Sequence, residues 1–264
     1  EEILANRDEA LNNAIAHEDD PVTMLSYRAA QAADRFDFRQ ADRLWKQYVA
    51  ERPNDNLAFV SMINGAGVLG LHDETAEMMR QRYDSDGELT RGFANIAAQE
   101  LRRPEDAEFM RELGDKSIEL YGEDMTLMYQ VHRLLLWSGD IDGARGLVQP
   151  IINSEVPDGN KLLVQLRQAC AEQRDDAGEA LAALIELDPD DETFAWLGYQ
   201  IYGDDEAADR ALIPLDESKD FVQLTSYLNY TSFDLSKYPN LAKRLEGQDL
   251  LDRELIPIPY RCDR

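Results

Sequence analysis

The chain has 264 residues, 44% of them hydrophobic and 30% charged, enough for one large or two small domains with a sizeable core. Its 53 acidic and 27 basic residues give a net charge of −26. That charge repels phosphate backbones and anionic headgroups, and so speaks against nucleic acid or a lipid surface as partner. No apolar run approaches the roughly 20 residues that cross a bilayer; the longest aliphatic stretch, LMYQVHRLLLW, contains His132 and Arg133. Direct membrane insertion of this segment is therefore not expected.

The chain opens with EEILANRD, which has neither the basic nor the apolar part of a signal peptide. With no initiating Met, the expectation is a piece of a longer protein. A leading helix is expected near residues 3–17. Beyond it the apolar spacing is helical almost throughout. QADRLWKQYVAE puts Ala41, Leu44, Trp45 and Tyr48 on one face, and GEALAALIEL does the same with Ala180, Leu181, Leu184 and Leu187. Turn signals recur at short intervals, among them EDDP, RPND, SDGE, RRPED, YGED, SGDIDG, VPDGN and LDPDD. Several place an Asp or Asn where the next helix needs an N-cap, and Pro21 and Pro104 suit a first helical turn. Short antiparallel helices joined by tight turns follow from this.

A spacing of twelve residues between small or pivotal positions repeats along the chain. It joins Ala29 to Ala41, Asn64 to Ala76, His132 to Ala144 and Gln168 to Ala180, and, in a poorer match, Ala98 to Met110. Large residues follow four positions on, as Trp45, Val148 and Leu184 do. The pivots Ala41, Ala76, Ala144 and Ala180 are separated by 35, 68 and 36 residues, so the 68 holds two units of about 34. Phe194, Leu197, Gly198 and Ile201 then stand in the order W-x2-L-G-x2-Y, with a second helix pivoting slightly early on Ala208. The physical sense is plain: small residues let paired helices approach closely, and large ones fill the gap between pairs. The pattern resembles the tetratricopeptide repeat. The expected fold is all-α, a tetratricopeptide-like helical-hairpin solenoid of about six hairpins. Residues 1–215 would form the solenoid with its leading helix. Residues 216–264 would form a C-terminal helical cap and an extended Pro-rich tail, packed on the same domain.

The last 45 residues carry a further resemblance, in Leu228-Asn229-Tyr230, in FDLSKYPNLAKRLE from Phe233 to Glu246, and in PIPYRC from Pro257 to Cys262. They are similar to the closing segment of tetratricopeptide regions in bacterial multidomain proteins. Those include winged-helix regulators, class III adenylate cyclase-like proteins and serine/threonine kinases. The link before PIPY departs from that pattern, because GQDLLDRELI is less basic and less Pro-rich. The resemblance implies a sensory or scaffolding role, an effector module upstream, and an extracytoplasmic position in a membrane-linked protein. Physically, a solenoid end needs covering, and Tyr227, Phe233, Leu235, Tyr238 and Leu241 could supply the cover.

Chemistry-bearing motifs are sparse, and the chain is not expected to be an enzyme or to hold a cofactor. His17, His72 and His132 stand near no nucleophile motif, and no G-x-S-x-G, P-loop or zinc spacing occurs. SGDIDGARGLVQ, Ser138 to Gln149, has calcium-loop spacing at Asp140, Asp142 and Gly143 but lacks the first Asp and the closing Glu. A turn between helices explains it better. The acidic pairs Asp19-Asp20, Asp175-Asp176 and Asp190-Asp191 read as solvated caps. Cys170 reads as a small core residue; a bridge to Cys262 is the alternative.

A protein or peptide partner would then lie in the concave groove, against outward positions of the first helix of each hairpin. Ser26, Ser61, Tyr129, Arg133, Trp137, Gln165 and Gln173 are the candidates. Tyr129, Arg133 and Trp137 share one face at i, i+4 spacing and are the residue types that dominate interfaces. Packing of Trp137 against the next repeat is the competing reading for that residue. A structural or oligomerisation module without its own ligand is the alternative function.

Overall fold

A computed structural model describes residues 2–189 and 191–262, with side chains from residue 6 onward. Asp190, half of one acidic pair above, lies outside the described residues. Among those residues the chain is all-helical. Its α-helices are α1 (Glu2–His17), α2 (Pro21–Asp34), α3 (Phe38–Glu51), α4 (Asn56–Val68), α5 (His72–Asp86), α6 (Arg91–Glu100), α7 (Ala107–Tyr121) and α8 (Met125–Trp137). They continue with α9 (Ile141–Ile152), α10 (Asp158–Ala171), α11 (Ala177–Leu187), α12 (Glu192–Tyr202), α13 (Asp205–Ser218), α14 (Phe221–Ser226) and α15 (Pro239–Arg244). Short 3-10 turns at Pro104–Asp106, Tyr227–Asn229 and Leu235–Lys237 punctuate the series.

The turns explain part of the acidic excess. Asp20, Asp55, Asp124, Asp140, Asp191 and Asp204 each accept a backbone N–H in the first turn of the helix that follows, at 2.9–3.3 Å. Each cap satisfies donors that the helix itself leaves open and contributes about 1 kcal/mol. Pro21 opens α2, and Pro104 opens the 3-10 turn that leads into α7. His72 is the first residue of α5, where it is buried.

Apart from α5 and α6, each helix packs on the next in chain order, and six consecutive pairs run from α2/α3 to α12/α13. The even-numbered helices from α4 to α12 also contact one another in sequence and make a continuous inner row. Of the positions twelve apart, Ala29, Ala41, Ala76, Ala98, Met110 and Ala144 are buried, as is the early pivot Ala208, while Asn64 and Ala180 are half-buried. His132 and Gln168 meet at 3.2 Å across α8 and α10, and both are fully enclosed. Gly198 shows why a small residue is needed there: a Cβ would come within 2.8 Å of Leu181 and 3.1 Å of Leu184.

The C-terminal residues close one end and then turn back. Trp196 of α12 meets Tyr227, Tyr230 and Phe233 edge-on, with ring centroids 5.1, 5.1 and 6.0 Å away, and Tyr238 stacks on Phe233 at 4.9 Å. Tyr227, Phe233, Leu235, Tyr238 and Leu241 are all buried. Asp216, in the last turn of α13, accepts the Leu241 N–H at 2.9 Å and the Asn240 N–H at 3.2 Å. The expected boundary at 215/216 therefore falls inside a helix whose end is bonded to α15, and a single hydrophobic cluster runs through both parts.

Candidate functional site

The tail from Leu255 to Cys262 lies over the inner row. Ile256 donates its N–H to Thr231 at 2.9 Å, and Thr231 returns its hydroxyl to the Ile256 carbonyl at 2.9 Å. Cys262 donates its N–H to Ile201 of α12 at 3.0 Å and is disulfide-bonded to Cys170 of α10, with Cα atoms 4.4 Å apart. Cys170 is thus a core residue and a bridge partner at once, where its spacing alone favoured the core role. Gly203, at φ 92°, leaves room for this strap: a Cβ there would lie 2.9 Å from the Cys262 carbonyl oxygen.

Beneath the strap three arginines converge on one small cavity. Arg102 follows α6, Arg133 belongs to α8 and Arg167 to α10. Trp137, Tyr230 and Tyr260 complete much of the wall. All three arginines are buried, Arg167 with only 3% of its surface exposed. Their fixed bonds run to neutral groups. Arg102 donates to the carbonyls of Gln99, at 2.8 Å, and Asn229, and its guanidinium lies 5.0 Å from the Tyr230 ring. Arg133 donates to the Ala98 carbonyl at 2.7 Å. Arg167 donates to the Tyr129 hydroxyl at 3.3 Å and sits 5.0 Å from that ring. Arg133 Nε, Arg167 Nε and Arg167 Nη1 are buried without a partner.

The charges feel one another. Burial, then Arg102 and Arg167, pull Arg133 down to about 10, which still leaves it protonated at neutral pH. His132, behind the cluster, is pushed down to about 3 by its burial and by Arg167. Glu100 is the nearby carboxylate. Its burial raises its pKa against the pull of Arg102 and Arg133. It is not part of the cavity wall: its Oε2 would lie 2.9 Å from a Cβ placed on Gly67 of α4.

The residues expected to face a partner are divided by the structure. Tyr129, Arg133 and Trp137 do come together, but Arg133 and Trp137 are buried under the strap, and the Trp137 ring meets Tyr260 edge-on at 6.2 Å. Trp137 is therefore buried and meets the chain's own tail. Gln173, after α10, donates to the Arg261 carbonyl at 3.0 Å beside the strap. Gln165 faces a separate open groove between α9 and α11. Ser26 and Ser61 donate their hydroxyls to Thr23 and Leu57 of their own helices and line neither site. Sequence reasoning passed over Arg102, Arg167, Tyr230 and Tyr260. One signal was present: Arg133 and Arg167 are 34 residues apart, the repeat spacing itself. The SGDIDG stretch is a helix start, with Asp140 bonded to the Gly143 N–H at 2.9 Å.

No family model and no curated protein matches this chain.

Proposed function

We propose that this chain is a non-catalytic interaction domain of the tetratricopeptide-like kind, serving a sensory or scaffolding role in a bacterial signalling or regulatory protein. What carries the reading is the inner row: α4, α6, α8, α10 and α12 contact one another in order while each also pairs with its successor. Small residues at twelve-residue spacing sit in those seams, and repeated pairs of this kind build extended recognition surfaces. The disulfide supports an extracytoplasmic position, since such bonds persist in oxidising compartments. The strap occupies the stretch of the inner row around Arg133 and Trp137, so a partner would dock beside it, where Gln173 is exposed.

Photo-crosslinking tests this. A photoreactive residue at Gln173 should capture one discrete second protein in cells, and the same residue at the exposed Glu186 of α11 should not. Adducts of the chain only with itself from Gln173 would favour the oligomerisation module instead.

A further inference from the structure

The structure assigns an anion-binding site to the cavity lined by Arg102, Arg133 and Arg167, taking one compact anion, either a halide ion or a single small carboxylate. This site stands apart from the interaction-domain reading and holds whether or not a protein partner exists.

Three observations lead there. The first is the excess of positive charge in a buried place. Among the described residues none of these three guanidinium groups is in an ion pair, although the chain carries 53 acidic residues. A buried charge without a counter-charge is strongly unfavourable, and proteins supply one. The second is unmet bonding capacity. Arg167 Nε and Nη1 and Arg133 Nε are buried without a partner, while the other bonds of these residues hold them in place. Rigid donors with open N–H groups are what an anion requires. The third is size. The cavity measures about 20 Å³, against the roughly 10–15 Å³ that a single water needs on the same measure. One chloride or one carboxylate group fits this space.

The alternatives inside the chain are used up. Glu100 is turned toward Gly67 and stands outside the wall. Arg253, just before the strap, donates its terminal guanidinium nitrogens to the carbonyls of Val68, Leu228, Tyr230 and Phe233 and does not line the cavity. The bound anion would sit where α6, α8, α10 and the strap meet, and so would tie the strap to the inner row.

The test is anion replacement at fixed ionic strength, starting from sodium gluconate, whose anion is too bulky for the cavity. Substituting chloride or formate should raise the thermal midpoint saturably, with half-saturation in the millimolar range or tighter. Chloride and formate run as separate arms and in competition show which source the site prefers. Arg167→Met should remove the saturable component, and Arg145→Met, an exposed arginine bonded to Asp142 and Glu172, should keep it. Equal midpoints in gluconate, chloride and formate, or a saturable shift that survives Arg167→Met, would overturn the assignment. Should Arg167→Met fail to fold, wild-type crystals grown in sodium bromide decide. An anomalous peak within hydrogen-bond reach of Arg133 and Arg167 is expected, and its absence overturns the proposal.

Discussion

Arginines live in two different surroundings in this molecule. Toward solvent they meet carboxylates: Arg35 binds Asp8 at 2.8 Å, Arg91 binds Asp124 at 2.6 Å, and Arg145 bridges Asp142 and Glu172 at 2.5 Å each. Under the strap, Arg102, Arg133 and Arg167 meet carbonyls and tyrosine rings, and Arg133 feels the charge of the other two. The difference teaches where the acidic excess is spent. It goes into helix caps and exposed pairs, where water screens the charges and each pair contributes little. None of it enters the cavity, where a carboxylate would neutralise the cluster permanently. The inner site is the place where this acidic chain is locally basic.

The strap maintains that contrast, so releasing it should have the largest effect. The Cys170–Cys262 bond closes a loop of 92 residues. Cys262→Ser, or reduction of the wild type, should lower unfolding stability by about 2–4 kcal/mol. The fluorescence of Trp137 should change as Tyr260 leaves it. Urea titrations with and without reductant measure both effects. Equal midpoints would mean that the backbone bonds to Thr231 and Ile201 hold the strap unaided, and that the inner face is closed without the disulfide.

The second effect separates the two regions by pH. His132 is enclosed next to Arg167, and its folded value of about 3 lies below the ordinary 6.5. Unfolded chains take up a proton near pH 6.5 that the folded state refuses. Stability is therefore full above that value and falls as pH drops toward 3. Between pH 7 and 5 the loss should be about 2 kcal/mol for His132. His72, pushed down to about 4 chiefly by its burial, adds a loss in the same window. Glu100, raised by its burial, works in the opposite sense. The informative quantity is thus the difference between wild type and His132→Gln, in which Glu100 is common to both. Urea midpoints at pH 7 and pH 5 should show the smaller pH dependence in the variant. An unchanged dependence would mean that His132 is not held neutral beside the arginines.

The all-helical architecture was legible because its signals are local. Asp20, Asp55 and Asp140 stand directly before the helices they cap, and twelve-residue steps such as Ala29 to Ala41 mark seams between helices adjacent in sequence. The cavity was hard to read because its parts are distant. Arg102 and Tyr260 are 158 residues apart in sequence, and nothing local says that the tail returns to α8. Arg133 and Trp137 carry the side chains of an exposed binding face; only the returning strap makes them interior. Arg167 was passed over although its spacing from Arg133 is the repeat itself, because a charged residue on a helix in a charged chain reads as solvated.

The smallest effect compares a seam with a helix surface through one substitution. Gly198 and Gly146 are both inside helices, where alanine is intrinsically better by about 0.5–1 kcal/mol. At Gly146 of α9 nothing lies within 4 Å of the added methyl, and the residue is exposed. Gly146→Ala should show that gain in full. At Gly198 the methyl meets Leu181 at 2.8 Å and Leu184 at 3.1 Å. Overpacking of this kind costs about 1–3 kcal/mol, and the propensity gain offsets part of it. A net loss of about 1 kcal/mol follows, softened because the atoms met are the ends of leucine side chains. Opposite signs for one chemical change, read from urea midpoints, would locate the tight spacing in the α11–α12 seam. A gain at Gly198 equal to that at Gly146 would mean that α11 and α12 are free to move apart, and that the small residue there is not what sets their distance.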